Sequence, residues 1–584
     1  MLGSIIKIVN EIIYIKPVIN IYEYGNIIGK HIVFESKDTI LVGEVINISE
    51  NFLETKVIGE FINSNFTYGN NNYPAFGSKV RLITKEELDL MFSNNTNYAL
   101  NIGTSANYKN YNIYLNTSSF FSNHFAILGN TGSGKSWGVA TILQSIFYDN
   151  TKNPFRSNIF LFDAYGEYQQ VFSSINKYNT NLNYKLYTTD LNSTTTSLIK
   201  IPFYMLDQDD IAILLSVEDP KQIQIIEKAL KLVIFFKDNN KELLDKKNDI
   251  IARSILDIIF SGKNPAEIRN KITSILTKFN TENINLEINL TKGGWTRTIR
   301  QCLFIEKENK FADIEIIIEY LETFVRNNFE LSFPNGSFMY DIKDFYNALE
   351  FALINEGVFN SDKVFDYANI LKIRLSNIIN SNYSKYFEYD SFITKGEYIK
   401  DLLRVNNGKA QVINFNISHI DDRFAKTIVK IYSKLLFNFI TSLEKRAEIP
   451  FHIILEEAHR YVQNDTDTKV LGYNIFDRIT KEGRKFGILL GLISQRPAEI
   501  SETAISQCSN FLIFKMFHPK DLSFIESVIP NIDKNSINKI KALPSGNCMI
   551  FGNAFKIPVI VNMKKPEPAP LSNNCDIINS WYIN

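Results

Sequence analysis

Over roughly the first 90 residues, hydrophobic and polar positions alternate in short runs; beyond them come longer apolar runs separated by helical patterns. The early runs Ile12–Ile15, His31–Phe34, Ile40–Ile46 and Lys79–Ile83 are bounded by Gly, Asn and Pro and read as β-strands. Short strands at such spacing predict a small barrel. Thr67–Pro74, rich in Asn, Gly and Tyr, reads as a loop. From about residue 110 the apolar runs are His124–Leu128, Asn158–Phe162, Gln411–Phe415, His452–Leu455, Ile488–Ile493, Phe511–Lys515 and Cys548–Phe551. Several are continuous rather than alternating, as strands buried on both faces of a parallel sheet require. Between Ile201 and Lys409 the pattern turns 3.6-periodic, for example over Gln222–Phe236 and Ile314–Arg326. The tail from Lys564 (KKPEPAP) carries too many prolines for regular structure and predicts an extended arm. The chain thus divides into an N-terminal β-barrel (1–95), an α/β core in two parts (96–200 and 410–563), a helical insertion (201–409) and a C-terminal arm (564–584).

Composition narrows the function classes. Of 584 residues, 45% are hydrophobic and 22% charged, which is globular rather than disordered. Lys+Arg and Asp+Glu both number 63, so a basic coat over the whole surface is excluded, while a basic lining confined to a channel is not. The four cysteines form no C-x-x-C pair and the six histidines no H-E-x-x-H, so neither a zinc site nor a disulfide framework is expected. Lys7, Asn10, Glu11, Lys16 and Pro17 interrupt the first apolar stretches, which argues against a signal peptide or anchor. The best candidate span, Ala229–Phe236, is short and broken by Lys231. A soluble, cytoplasmic protein without membrane contact is expected.

Four motifs carry chemistry. Gly129-Asn130-Thr131-Gly132-Ser133-Gly134-Lys135-Ser136 matches G-x-x-x-x-G-K-[ST], follows an apolar strand and opens a helical pattern beginning at Trp137. Its glycines let backbone N–H groups curl around a β-phosphate, Lys135 reaches the β- and γ-phosphates, and the Ser136 hydroxyl ligates Mg²⁺. ATP and Mg²⁺ are the expected ligands. Second, the strand Phe451–Leu455 ends in Glu456 and Glu457, as a Walker B strand does, the first acid for the magnesium shell and the second to polarise attacking water. Glu stands at 456 where Asp is commoner; the alternative is an acidic helix start. Third, Ile159-Phe-Leu-Phe-Asp163-Ala-Tyr-Gly166-Glu167-Tyr168 puts Asp163 at the carboxyl end of a buried strand, either near a ligand or as a cap of the next helix. Fourth, Arg478-Ile-Thr-Lys481-Glu-Gly-Arg484-Lys485 leads through a buried strand to Gln495. If helical, it places Arg478, Lys481 and Lys485 on one face with Arg484 pointing elsewhere. Gln495 either senses the γ-phosphate or bonds a loop.

In this order, HFAILGNTGSGKS, IFLFDAYGEY, IILEEAHRYV and EGRKFGILLGLISQRP resemble the HerA family of hexameric DNA-translocating ATPases, within the HerA/FtsK group. The resemblance implies a RecA-like P-loop core behind a barrel, with Lys135 and Ser136 on phosphate, Asp163 as an additional acid, Glu457 as catalytic base and Arg484 as an arginine finger given to the neighbouring subunit. It further implies a homohexamer taking duplex DNA through its pore, and a separate nuclease or effector partner in DNA end processing or antiviral defence. The arm is expected to brace the next subunit. The alternative is a nucleotide-gated hexameric scaffold that activates an effector nuclease with little translocation. A GTP enzyme ranks lower, since no N-K-x-D element occurs.

Overall fold

The computed structural model describes residues 2–9, 11–18, 25–49, 51–63, 65–69, 72–92, 98–149, 151–237, 241–326, 333–334, 336–359, 362–406, 408–529, 532, 534–572 and 577–582. Cys575 lies outside them, as do residues 70 and 71 of the expected loop, whose first residues prolong a strand instead.

Seven strands build the N-terminal sheet: β1 (Gly3–Val9), β2 (Ile12–Pro17), β3 (His31–Glu35), β4 (Ile40–Ile48), β5 (Leu53–Ile62), β6 (Asn65–Tyr68) and β7 (Lys79–Leu82). Their order is β2-β1-β7-β3-β4-β5-β6, and β2 also pairs with β5. That pairing closes a six-stranded antiparallel barrel and leaves β6 as an appended strand, so closure removes the edges that an open sheet would expose. Inward-facing Ile5, Ile13, Ile15, Ile32, Phe34, Leu41, Val45, Leu53, Val57 and Val80 fill it. Bulges at Val42/Gly43 and Val45/Asn47 bend β4 around this core. The barrel is tied to the following core at His31, whose backbone N–H donates to the Tyr108 hydroxyl at 2.8 Å, and at Gly29, whose carbonyl accepts from Asn107 at 2.9 Å.

From Ala99 the chain lays down β8 (Ala99–Ser105), β9 (Asn112–Asn116), β10 (Phe125–Leu128), β11 (Ile159–Asp163), β12 (Tyr184–Thr188) and β13 (Ser197–Leu198). Two small hairpins follow, β14–β15 (Asn289–Lys292, Trp295–Thr298) and β16–β17 (Arg404–Val405, Gly408–Lys409). It returns with β18 (Val412–Asn416), β19 (Phe451–Leu455), β20 (Ile488–Ser494), β21 (Asn510–Phe514), β22 (Asn547–Gly552) and β23 (Phe555–Met563). One twelve-stranded sheet results, ordered β13-β12-β18-β11-β19-β20-β10-β21-β22-β23-β8-β9. Its first eight strands are parallel and the remainder antiparallel. Every residue of β10, β11, β19, β20 and β21 is buried, which explains why their sequences read as unbroken apolar runs.

The chain forms two compact units. One comprises 1–198, 399–465 and 474–584. The other, 199–398 with 466–473, is mostly helical and includes Pro220–Leu232, Lys241–Ile259, Pro265–Lys278 and Ile314–Glu322. Asp219 and Asn264 cap first-turn N–H groups of two of these helices, each followed by Pro at the first helical position. Among the described residues, no helix is long and apolar enough to cross a membrane. The arm is extended over 564–572 but ends in a short helix, Ile577–Trp581, where continuous extended chain was expected.

Glycines set how closely the helix Lys135–Phe147 seats on the sheet. A Cβ on Gly138 would lie 2.5 Å from the Phe514 ring, and one on Gly129 2.6 Å from Phe514 Cβ. Gly138→Ala is therefore expected to cost about 1–3 kcal/mol through overpacking. Thermal melting of Gly138→Ala with and without Phe514→Leu tests this: the second change should recover most of the loss, and two purely additive losses would refute the packing argument.

Candidate ATPase site

The loop after β10 is shaped by three glycines of positive φ, Gly129, Gly132 and Gly134. Gly134 stands at the N-cap in the left-handed region with no side chain capping the first turn, so the N–H groups there are left for a ligand. Neighbouring backbone holds this loop from two sides. Asn130 N–H donates to the Lys515 carbonyl at 3.0 Å, and Gly546 N–H to that of Ser133 at 2.9 Å. The Ser545 hydroxyl donates to Gly132 O at 2.8 Å. Lys135 is buried and its Nζ donates to Asn130 O at 3.0 Å. Burial holds its ammonium below the ordinary value, while Glu457, Glu456 and Glu167 oppose that shift. Trp137, in the helix's first turn, is 36% exposed.

The acids converge because β11 and β19 are neighbours and both end at this edge of the sheet. Asp163 is fully buried. Its Oδ1 accepts from Glu167 N–H and its Oδ2 from Tyr168 N–H, both at 2.9 Å, and Asn414 Nδ2 donates to Oδ2 at 3.2 Å. Asp163 is therefore a cap of the turn that follows and also a member of the acid cluster. Gly166, at φ 75°, makes that turn; a Cβ there would meet Asn416 Nδ2 at 2.8 Å. Glu456 is buried beside Asp163 and accepts from Ala164 N–H at 2.9 Å. Desolvation, then repulsion from Asp163 and Glu167, pushes its carboxyl well above the ordinary range. Glu457 is buried with its backbone in the left-handed region (φ 50°, ψ 46°), a conformation that costs a non-glycine residue about 1–2 kcal/mol. Its Oε2 lies 3.2 Å from His459 Nδ1, which is 3.1 Å from the Ser494 hydroxyl.

Strand β20 runs between β19 and β10, and so between the acids and the phosphate loop. Gln495 follows that strand and accepts a hydrogen bond from the Thr131 hydroxyl of the loop. The structure thus brings together Thr131, Lys135, Ser136, Asp163, Glu456, Glu457 and Gln495. Arg484 is elsewhere. It is exposed, in a 3₁₀ turn before β20, and its Nη1 donates to Asn123 Oδ1 at 3.1 Å, ahead of β10. Because the phosphate loop follows β10, about 15–20 Å of strand separates the two within one chain. The helix Ile475–Glu482 stops before Lys485, so the basic face expected for Arg478, Lys481 and Lys485 is not one continuous helical stripe.

Sequence reasoning missed Glu167. Burial, helped by the neighbouring Asp163 and Glu457, raises its carboxyl above the ordinary range. Its Oε2 is buried without a hydrogen-bond partner. The signal was an acid four residues beyond Asp163, across a glycine turn. Asn414, which holds Asp163, gave no motif. What favours a divalent cation here is the orphaned carboxylate oxygen and the mutual repulsion of the acids, with the phosphate-loop serine as the hydroxyl donor; the acids alone make no metal-holding cluster among the described residues.

The model of the Helicase HerA central domain matches residues 100–436, more than half of the chain. A probable helicase of Methanocaldococcus jannaschii is 24% identical over 526 residues, covering 89% of this chain and 81% of that one. A probable DNA double-strand break repair helicase HerA of the same organism is also 24% identical, over 95% of this chain and 98% of its own length. Among solved structures, VirB4 of Thermoanaerobacter pseudethanolicus aligns with a TM-score of 0.40 at 10% identity, over 80% of this chain and 97% of that one.

The raised carboxyl of Glu456 has a pH signature. The folded chain holds this proton to higher pH than the unfolded chain, which releases it near pH 4.5, so this group's stabilising contribution is present below that pH and declines as pH rises toward the folded value. Glu456→Gln removes the decline. Its melting temperature should exceed wild type by about 1–3 °C at pH 8 and by less at pH 5. A pH-independent difference would mean that the carboxyl is not desolvated.

Proposed function

Because this chain belongs to the HerA helicase central-domain family and is an ATP-hydrolysing enzyme of that family, we propose that it is a ring-forming, ATP-driven translocase of double-stranded DNA. We further propose that it works with a separate nuclease or effector, in end processing or antiviral defence. The observation that carries the ring is the split of the site. Thr131, Lys135, Ser136, the acids and Gln495 meet at the carboxyl ends of the strands, while Arg484 stands at their amino ends. This separation supports the reading that Arg484 serves the site of a second copy.

In this reading the loop N–H groups and Lys135 bind and orient the β- and γ-phosphates. Ser136 and Glu456 would hold a Mg²⁺, which would supply charge neutralisation at the phosphates. Glu457 accepts a proton from the attacking water, and its own placement depends on His459 and Ser494. Gln495, tied to Thr131, reports the state of the phosphate loop to β20. The neighbour's Arg484 stabilises charge in the transition state, a role worth about 10³–10⁵ in rate where such fingers act. The buried pair Glu456–Glu457 favours a motor over a scaffold, since a scaffold has no use for a strained, buried base.

Two experiments test this. Duplex DNA should stimulate Mg²⁺-dependent ATP hydrolysis; Lys135→Ala should lose nucleotide binding, and Glu457→Gln should bind ATP but hydrolyse it at least a hundredfold more slowly. Wild-type turnover in Glu457→Gln would sink the assignment of the base, and DNA-independent hydrolysis would favour the scaffold. Lys135→Ala and Arg484→Ala, each inactive alone, should recover about a quarter of wild-type ATPase when mixed through the monomer. Absence of recovery despite proven subunit exchange would remove Arg484 from the neighbour's site.

A further inference from the structure

Asn123 precedes β10 as Arg484 precedes β20, and these strands are neighbours, with Phe125 opposite Gly491. Three strands clamp the segment that carries Asn123. His452 Nε2 of β19 donates to the Phe121 carbonyl at 2.7 Å, Leu490 N–H of β20 to His124 Nδ1 at 2.9 Å, and Asn510 Nδ2 of β21 to the Ser119 carbonyl at 3.1 Å. Within this clamp Asn123 is only 7% exposed. Its Nδ2 donates to the Ser119 carbonyl at 2.9 Å and to the Ser122 hydroxyl at 3.3 Å. A carbonyl only accepts and a guanidinium only donates, so both neighbours demand the same orientation of the amide. The nitrogen faces Ser119, and the oxygen faces Arg484, whose Nη1 donates to it at 3.1 Å.

Resting on the reading of Arg484 as the cation given to a neighbour's site, we infer that Asn123 is a positioning residue for Arg484. A long exposed side chain samples many rotamers, and most of them carry the guanidinium away from any one target. A bond from a buried, clamped amide narrows that set before two chains meet, so less ordering is left for the moment of contact. One N–H is used in this anchor, and the rest of the planar fork remains to meet a phosphate. The anchor is also neutral. A carboxylate in its place would pair with the guanidinium and offset the charge that the phosphate needs. Among the described residues no carboxylate forms an ion pair with Arg484, whereas Arg460, Arg478 and Arg496 pair with Asp422, Glu482 and Glu499. Asn123 thus fixes the direction of the cation without cancelling it.

The test measures ATP hydrolysis by the full-length protein, alone and in mixed assemblies. Asn123→Ala leaves the Ser119 carbonyl bonded to Asn510. Alone it should lower kcat about tenfold and keep KM for ATP within about twofold, because the phosphate loop is intact and only the finger is misplaced. Added to Arg484→Ala, the same change should cost less than about twofold more, since the group it positions is already gone. Mixed through the monomer with Lys135→Ala, Asn123→Ala should recover about a quarter of wild-type activity. Its own phosphate loop is sound, and the Lys135→Ala copy brings a sound Asn123–Arg484 pair. A residue that merely props β10 would instead damage the loop of its own chain, and mixing would leave about a twentieth. Asn123→Ser, carried through the same measurements with the same expectations, replaces Asn123→Ala if that variant does not fold. Wild-type kcat in the variant overturns the inference, as does a full further loss in the Arg484→Ala background. So does a loss that mixing fails to recover when the Lys135→Ala and Arg484→Ala mixture does recover. If neither mixture recovers despite proven exchange, it is the reading of Arg484 itself that fails.

Discussion

Four carboxylates around one buried ammonium form the constraint on which the site depends. Asp163, Glu167, Glu456 and Glu457 all act on each other or on Lys135 in a region that water barely reaches. Two features bear on that repulsion: Asp163 accepts hydrogen bonds from three donors, and desolvation with the neighbouring acids raises the Glu456 carboxyl. A divalent cation and phosphates bring compensating charges of both signs, so ligand binding changes protonation as well as contacts.

The second constraint is steric, and it links fold to chemistry. The phosphate loop can sit this close to β21 only because Gly129 and Gly138 expose no side chain to Phe514, and only because Gly134 faces Gly546 with nothing between them; a Cβ on Gly134 would be 3.0 Å from Gly546 Cα. The loop is then sandwiched between β20, which delivers Gln495, and the turn before β22, which delivers Ser545. Movement of either neighbour alters the loop directly. That is a physical route by which events along the sheet can reach the nucleotide.

How much of this the sequence disclosed follows from what each signal depends on. Buried parallel strands such as Phe451–Leu455 and Ile488–Ser494 announce themselves because burial on both faces demands unbroken apolar runs. The phosphate loop is legible because backbone φ and close approach dictate glycine at fixed spacing. Half-buried strands were less visible: β5, β8 and β23 alternate or mix burial, and their register is fixed by partners distant in sequence. Asn414 escaped because its importance lies in a hydrogen bond across strands, to Asp163, that no local pattern encodes. The proline-rich tail was correctly read as lacking regular structure over its first residues, but prolines say nothing of where an extended chain docks. Here Thr141, Gln144 and Gln170 decide it.

The placement of Arg484 constrains assembly by symmetry alone. It lies by Asn123 at the amino ends of the parallel strands, and the nucleotide loop lies at their carboxyl ends. If Arg484 completes a site, the surface that gives it and the surface that receives it are different patches on opposite edges of one sheet. A two-fold dimer joins identical patches to each other, so it cannot satisfy this arrangement with a single interface. A head-to-tail contact can, and head-to-tail contacts either close into a ring or extend into a filament. A site completed in this way would draw on two chains.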